Sequence, residues 1–264
     1  MTYLEENLDR KLSEILIQIQ SRIKYQTTYF GIKTLKNPLD NWIIQEIIFE
    51  QKPDVIIEIG NLYGGSTLNI AHFCDLMKHG RVIGIDISHL KVPPFVREHS
   101  RITLIEGEAC ESISQVEKMI EENERVMIIE DSSHTYVNTL NILRIYSKLI
   151  KVGDYFIVED GICYHGLDEG PYPGPYEAIE EFLLENSSFI CDREKESFLI
   201  TWNPKGFLVR IADDNRNSSN DQQFVIKKTG IIFQSIFRNI QLFVPPIIPI
   251  LVNKLKRKIS NPNK

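Results

Sequence analysis

The stretch Asp54-Val-Ile-Ile-Glu58-Ile-Gly60-Asn-Leu-Tyr-Gly64-Gly65-Ser66 decides the fold. Asp54–Ile59 is a short apolar run that stops at a glycine, the pattern of a strand buried on both faces. Ser66–Lys78 then reads as a helix. Glycines between a buried strand and a helix allow close backbone approach to a ligand at the carboxyl edge of a parallel sheet. A pyrophosphate-binding fingerprint needs G-x-G-x-x-G, whereas this loop spells G-x-x-x-G-G. That difference favours a ligand without a pyrophosphate. A plain strand–helix turn with no ligand is the alternative.

The same rhythm continues outward. Arg81–Ile87, Ile102–Glu106, Arg125–Glu130 and Tyr155–Glu159 read as strands, with helices at Ser112–Glu122 and Thr135–Ile150 between them. Strands alternating with helices of this length predict an α/β fold with a mostly parallel, doubly wound sheet. Upstream, Leu8, Leu12, Ile15, Leu16 and Ile19 mark an amphipathic helix over 4–24, and a second begins near Asp40, capped by Asn37 or Asp40. Downstream, a Gly/Pro/Tyr-rich loop leads to a helix at Tyr176–Glu185. Phe198–Trp202 and Phe207–Ile211, joined by Asn203-Pro-Lys-Gly206, read as a C-terminal antiparallel hairpin. The expected organisation is an N-terminal helical cap (1–52), a ligand-binding domain (53–211), a polar linker (212–223) and a basic amphipathic tail (224–264).

Asp86 closes its strand 26 residues after Gly60. An acid there accepts hydrogen bonds from two ribose hydroxyls, so NAD and S-adenosylmethionine fit alike. Two later strands also end in acids, at Glu130-Asp131-Ser-Ser-His134 and Glu159-Asp160-Gly161. Asp131, Glu159 and Asp160 would converge on one sheet edge, where unpaired carboxylates repel and Mg²⁺ is a natural partner. His134 follows Asp131 by three residues and is a candidate general base. Helix caps and solvated strand ends are the plainer reading of each residue alone.

At 264 residues, with 42% hydrophobic and 25% charged, the chain has the globular balance. The four cysteines lack C-x-x-C spacing, which argues against a zinc knuckle. None of the six histidines makes an H-x-D or H-x-E pair, which disfavours a facial-triad iron oxygenase. Residues 222–264 hold eight Lys/Arg and no acid, while the remainder holds 22 basic and 36 acidic residues. A body at −14 argues against a broad phosphate-binding face, so no nucleic-acid partner is expected.

Taken together these residues resemble the cephalosporin hydroxylase/rhamnosyl O-methyltransferase family of class I, S-adenosylmethionine-dependent methyltransferases. The likeness runs over roughly 25–211. It rests on Lys36-Asn-Pro-Leu-Asp40, Ile57 to Ser66, Val82-Ile-Gly-Ile-Asp86, Asp131-Ser-Ser-His134, Tyr155 to Asp160, Gly174-Pro175 and Asn203 to Gly206. The resemblance implies a Rossmann-like fold with bound S-adenosylmethionine and Mg²⁺. It implies that Glu58, Gly60, Gly64 and Ser66 line the cofactor, and that Asp86 holds its ribose. Asp131, Glu159 and Asp160 would ligate the metal, with Asp131 and His134 catalytic.

The expected activity is O-methylation of a sugar, glycolipid or natural-product hydroxyl. Tyr164, His165 and Tyr172 are candidate acceptor contacts. A non-catalytic nucleotide-binding scaffold and an NAD-dependent oxidoreductase are the alternatives. Acids at Glu5 and Glu6 lead to the expectation of no export signal and a cytoplasmic protein. Residues 224–258 combine Ile232, Phe233, Ile236, Phe237 and Ile240 with basic flanks, which suits an anionic membrane surface. Docking of this tail on the acidic body or on a second copy in a homo-oligomer is left open.

Overall fold

A computed structural model of the chain describes residues 3–213, so the tail 224–264 and most of the linker lie outside the described residues. In order, the elements are α1 (Leu12–Gln26), β1 (Thr28–Tyr29), β2 (Ile32–Lys33), α2 (Pro38–Gln51), β3 (Val55–Ile59), α3 (Gly65–Met77), β4 (Arg81–Asp86) and α4 (Pro94–Arg97). They continue with β5 (Ile102–Glu106), α5 (Ala109–Glu117), β6 (Val126–Glu130), α6 (Tyr136–Tyr146), β7 (Tyr155–Val158), α7 (Pro175–Glu185), β8 (Phe189–Cys191) and β9 (Phe207–Arg210).

Seven strands form one sheet in the order β5-β4-β3-β6-β7-β9-β8. β3 to β7 run parallel, and β9 is antiparallel to both neighbours. The chain winds from β3 out to β5, then returns to β6 on the other side of β3. This reversal makes β3/β6 the switch point, where a crevice opens beyond the strand ends.

β3 is buried along its whole length, as a continuous apolar run requires when helices cover both faces. Its alternate residues serve two cores. Val55, Ile57 and Ile59 pack with Leu140, Leu143 and Phe182 of α6 and α7. Ile56 packs with Ile47 and Ile48 of α2 and Leu68 and Ala71 of α3. Full burial of each such side chain contributes about 1.5–3 kcal/mol, so the central strands are firmly held.

Two expectations are corrected. Phe198–Trp202 is not a strand: the antiparallel neighbour of β9 is β8, from Phe189 to Cys191. Thr201 Oγ1 and the Trp202 amide instead donate to Asp40 at 2.6 and 2.7 Å, and the Trp202 indole donates to Gln20 at 2.7 Å. These bonds turn the backbone away from any ladder. The turn at Asn203–Gly206 exists, closed by Gly206 N to Asn203 O at 2.8 Å, but it feeds a loop into β9.

The long first helix is also shorter than expected. A 3-10 turn at Leu4–Glu6 precedes α1, and Leu8 and Leu12 are exposed. Only Leu16 and Ile23 find a small cluster, with Ile162, Leu167 and Trp202, against which to be buried. The cap of α2 is Asn37, whose side chain accepts from the Leu39 amide, while Asp40 is committed to residues 201–202. Among the described residues, no helix is long and apolar enough to cross a membrane.

Candidate active site

The loop after β3 is held by backbone that tolerates no larger residue. Gly60 has φ +95°, and a Cβ there would overlap the Asp131 carbonyl oxygen. Gly60 N donates to Ile85 O and Asp131 N to Ile59 O, each at 2.8 Å, which draws the ends of β3, β4 and β6 together. Gly64, at φ +77°, caps α3, and a Cβ there would press on Val92.

Beneath this loop Glu58 is fully buried. Its Oε2 accepts from Asn61 Nδ2 at 2.8 Å and from the Thr67 hydroxyl. Asn61 Oδ1 in turn pairs with His89 Nε2 at 3.3 Å. Glu58 therefore supports the loop from below and is not among the residues facing the cavity. Asp86 does face it. Its Oδ2 accepts from Leu62 N at 2.8 Å and its Oδ1 from Ser88 N at 3.3 Å, leaving each oxygen a further lone pair.

A cavity of about 450 Å³ opens above the strand ends. Gly60, Ser66, Asp86, Asp131, His134 and Asp160 contribute to its walls, and residues 33–36 close one side. Three of its non-glycine residues, Leu62, His134 and Asp160, have φ of 45°, 55° and 59°. Left-handed backbone of this kind costs of order 1 kcal/mol per residue and clusters at functional sites.

His134 Nε2 lies 3.3 Å from Asp160 Oδ2 and 4.0 Å from Asp131 Oδ1. The ligand atoms of these three residues all lie within 4.8 Å of one another. Burial alone would lower the His134 pKa, but Asp160, Asp131 and Glu130 outweigh it and raise it. Burial pushes Asp160 up to about 6, with His134 pulling the other way. Nδ1 of His134 is buried without a hydrogen-bond partner.

Glu159, grouped by sequence with Asp131 and Asp160, has a different partner. Lys36 Nζ donates to Glu159 Oε1 and to Asp131 Oδ2, both at 2.6 Å. Burial disfavours the Lys36 charge, yet Asp131, Glu159 and Glu58 more than compensate and hold it protonated well above the usual lysine range. Sequence reasoning assigned Lys36 no role. The signal was present in the Lys36-Asn-Pro-Leu-Asp40 stretch, but nothing in that stretch says which acids it meets.

Glu130, also buried, points away and accepts from Ser132 and, at 3.4 Å, from Thr139. Tyr164, His165 and Tyr172 do not line the cavity. Tyr164 and Tyr172 meet edge-on at 5.3 Å, and His165 stacks on Tyr176 at 3.6 Å while binding Glu177 at 2.7 Å. Their loop comes near the site where Tyr136 N donates to Pro173 O at 3.4 Å.

A second group, His72, Asp75 and His99, lies on α3 and after α4. Its carboxylate already carries Arg101 at 2.6 Å and His99 at 3.1 Å. Tyr29 takes His72 Nδ1 at 2.9 Å. The group is a satisfied hydrogen-bond network with its own cation.

The sequence pattern of the rhamnosyl O-methyltransferase/CmcI family matches residues 21–211, the same stretch that builds the sheet and the cavity. The chain belongs to this family. It is 33% identical to the rhamnosyl O-methyltransferase of Mycobacterium tuberculosis over 195 residues, 70% of this chain and 78% of that protein. The Mycobacterium leprae rhamnosyl O-methyltransferase is likewise 33% identical, over 70% of this chain and 83% of its own. Among solved structures, CmcI with Mg-SAM superposes with a TM-score of 0.57 at 26% identity, covering 70% of this chain and 77% of that one. An apo-structure of CmcI gives 0.56 at 28% identity, covering 71% and 77%. The shared region ends with β9, before the basic tail.

Proposed function

We propose that the protein is an S-adenosylmethionine-dependent, Mg²⁺-assisted O-methyltransferase acting on a hydroxyl of a sugar, glycolipid or natural product. The observation that carries this reading is the meeting of Asp131, His134 and Asp160 in the same cavity as the Gly60 loop and Asp86. The family supports it, as do relatives named for rhamnosyl O-methylation and a neighbour solved with Mg-SAM.

The donor set fits both groups. Asp86 offers two carboxylate oxygens at the edge of the cavity for ribose hydroxyls, and Gly60 removes the side chain that would block approach. Asp131 and Asp160 offer the hard oxygens that Mg²⁺ takes, with Glu159 in reach of the same edge once its ion pair opens. When bound, the ion supplies Lewis-acid assistance that lowers the pKa of an acceptor hydroxyl. The chain's own residues do the rest. The His134 ring accepts the hydroxyl proton on the nitrogen that does not donate to Asp160, and the resulting imidazolium is stabilised by Asp160, 3.3 Å from Nε2. Strained backbone at His134 and Asp160 fixes both side chains before the acceptor arrives, so positioning contributes to rate.

The domain division follows: residues 1–52 cap the site, 53–211 bind cofactor and acceptor, and 212–223 link to the tail. Residues 224–258 associate with the anionic inner face of a membrane in the cytoplasm, which suits a glycolipid acceptor. The support is the charge split and the apolar stripe between basic flanks. Transfer of labelled methyl from S-adenosylmethionine to a rhamnose-bearing acceptor tests the enzyme. It should stop in EDTA and return with Mg²⁺; an undiminished rate in EDTA removes the metal role, and no cofactor binding overturns the reading. Sedimentation with anionic liposomes at low salt tests the tail, and no sedimentation refutes its assignment.

A further inference from the structure

The acids at the sheet edge are divided between two side chains, Lys36 and His134. Lys36 takes Glu159 and one oxygen of Asp131 at 2.6 Å each. His134 takes Asp160 at 3.3 Å and faces the other oxygen of Asp131 at 4.0 Å. Lys36 reaches its partners from 95 and 123 residues away. Its side chain is only 11% exposed, so water screens the ammonium little.

Lys36 is also firmly placed. It directly precedes Asn37, the cap of α2, and Asp40 three residues on is clamped to Thr201 and Trp202. Just upstream, Thr34 sits so close to Gly65 that a Cβ on the glycine would overlap its hydroxyl. The ammonium is thus delivered into the cavity by a braced segment.

An ammonium bonded to two carboxylates and a divalent ion coordinated by them compete for the same lone pairs. Two cations on one buried carboxylate pair also repel strongly, because little solvent lies between them. We propose that Lys36 is a built-in competitor of the divalent cation: it holds Asp131 and Glu159 when the metal is out, and must leave at least one of them when the metal enters. This inference rests on the metal-assisted reading above and adds what regulates that site. Lys36 makes the metal-free cluster stable and the metal weakly held, so metal occupancy follows the free ion concentration.

The test is Mn²⁺ binding to the full chain, read by the electron paramagnetic resonance of the free ion and by calorimetry. Lys36→Met should bind Mn²⁺ about tenfold more tightly than wild type, whereas Lys36→Arg, which keeps the charge, should bind no more tightly. Without metal, Lys36→Met should melt lower than wild type, and Mn²⁺ should close the gap. If Lys36→Met fails to fold without metal, Lys36→Gln takes its place in the same comparison. A folded neutral variant that binds Mn²⁺ no more tightly than wild type overturns the proposal, as does absence of binding to both. Binding to the neutral variant alone supports it. S-adenosylhomocysteine affinity of the same samples in metal-free buffer reports on the methyltransferase reading separately, and its loss in wild type would sink that reading whatever Lys36 does.

Discussion

Two neighbouring regions at the carboxyl edge of the sheet solve the same problem, a buried carboxylate, in opposite ways. Beneath the Gly60 loop, Glu58 is surrounded by the amide of Asn61 and the hydroxyl of Thr67, both within nine residues of it in sequence. At the strand ends of β6 and β7, Asp131, Glu159 and Asp160 are held by Lys36 and His134, with left-handed backbone at His134 and Asp160. The first arrangement is local and lies outside the cavity wall; it satisfies Glu58 Oε2 and leaves the buried Oε1 without a hydrogen-bond partner. The second is long-range through Lys36, places Lys36, Asp131, His134 and Asp160 on the cavity wall, and holds an ammonium that an incoming cation can replace. The contrast separates support from chemistry: on the reading proposed above, one region shapes the loop beside the cofactor and the other takes part in the reaction.

The largest effect should come from the reactive region. Asp131→Ala or Asp160→Ala is expected to lower turnover ~10²-fold or more while leaving S-adenosylhomocysteine affinity nearly unchanged. Loss of cofactor binding in both variants would erase the distinction between the two regions. The support region should respond through stability instead. Thr67→Val removes a donor to Glu58 inside the core and should cost about 1–3 kcal/mol in denaturant unfolding, with Mn²⁺ affinity unaffected. Gly60→Ala forces a Cβ onto the Asp131 carbonyl at φ +95° and should lose a similar amount, together with cofactor binding.

The comparison also explains what could be read in the sequence. The sheet was legible because the parallel strands are short, mostly apolar runs ending at a glycine or an acid, and in the central β3 and β6 burial on both faces enforces that pattern. Gly60, Asp86, Asp131, His134 and Asp160 were legible as a cavity edge because strand ends in a doubly wound fold meet there. Lys36 was not, because nothing local distinguishes a lysine that travels to acids 95 and 123 residues away from one on the surface. Phe198–Trp202 was misread for a related reason. Its aromatic and β-branched residues suit a strand, but the deciding partner is Asp40, more than 150 residues earlier. Glu58 has the composition of a cofactor contact, and nothing in its own stretch says that Asn61 and Thr67 take one of its oxygens.

Smaller effects sharpen the boundary. Asp86→Ala should weaken S-adenosylhomocysteine binding about tenfold by calorimetry, because its oxygens also hold the Leu62 and Ser88 amides that shape the rim. At the opposite edge of the sheet, Arg81 pairs with Glu124, and this hydrogen bond is the main reason the Glu124 pKa is lowered. A lowered carboxylate pKa stabilises the fold above the unfolded value and is lost as pH falls through the folded one. Glu124→Gln should therefore cost about 0.5 kcal/mol at neutral pH, with the difference fading on acidification below the ordinary glutamate range. Turnover should not change, since this pair touches neither region of the site.

The central claim is that a divalent ion works at the strand ends of β6 and β7. It is tested most directly by the anomalous scattering of a crystal grown with Mn²⁺ and S-adenosylhomocysteine. The account predicts one strong peak within bonding distance of oxygens of Asp131 and Asp160, with the Lys36 ammonium displaced from Asp131 or Glu159. No peak at that edge, or a peak only at His72, Asp75 and His99, would contradict it.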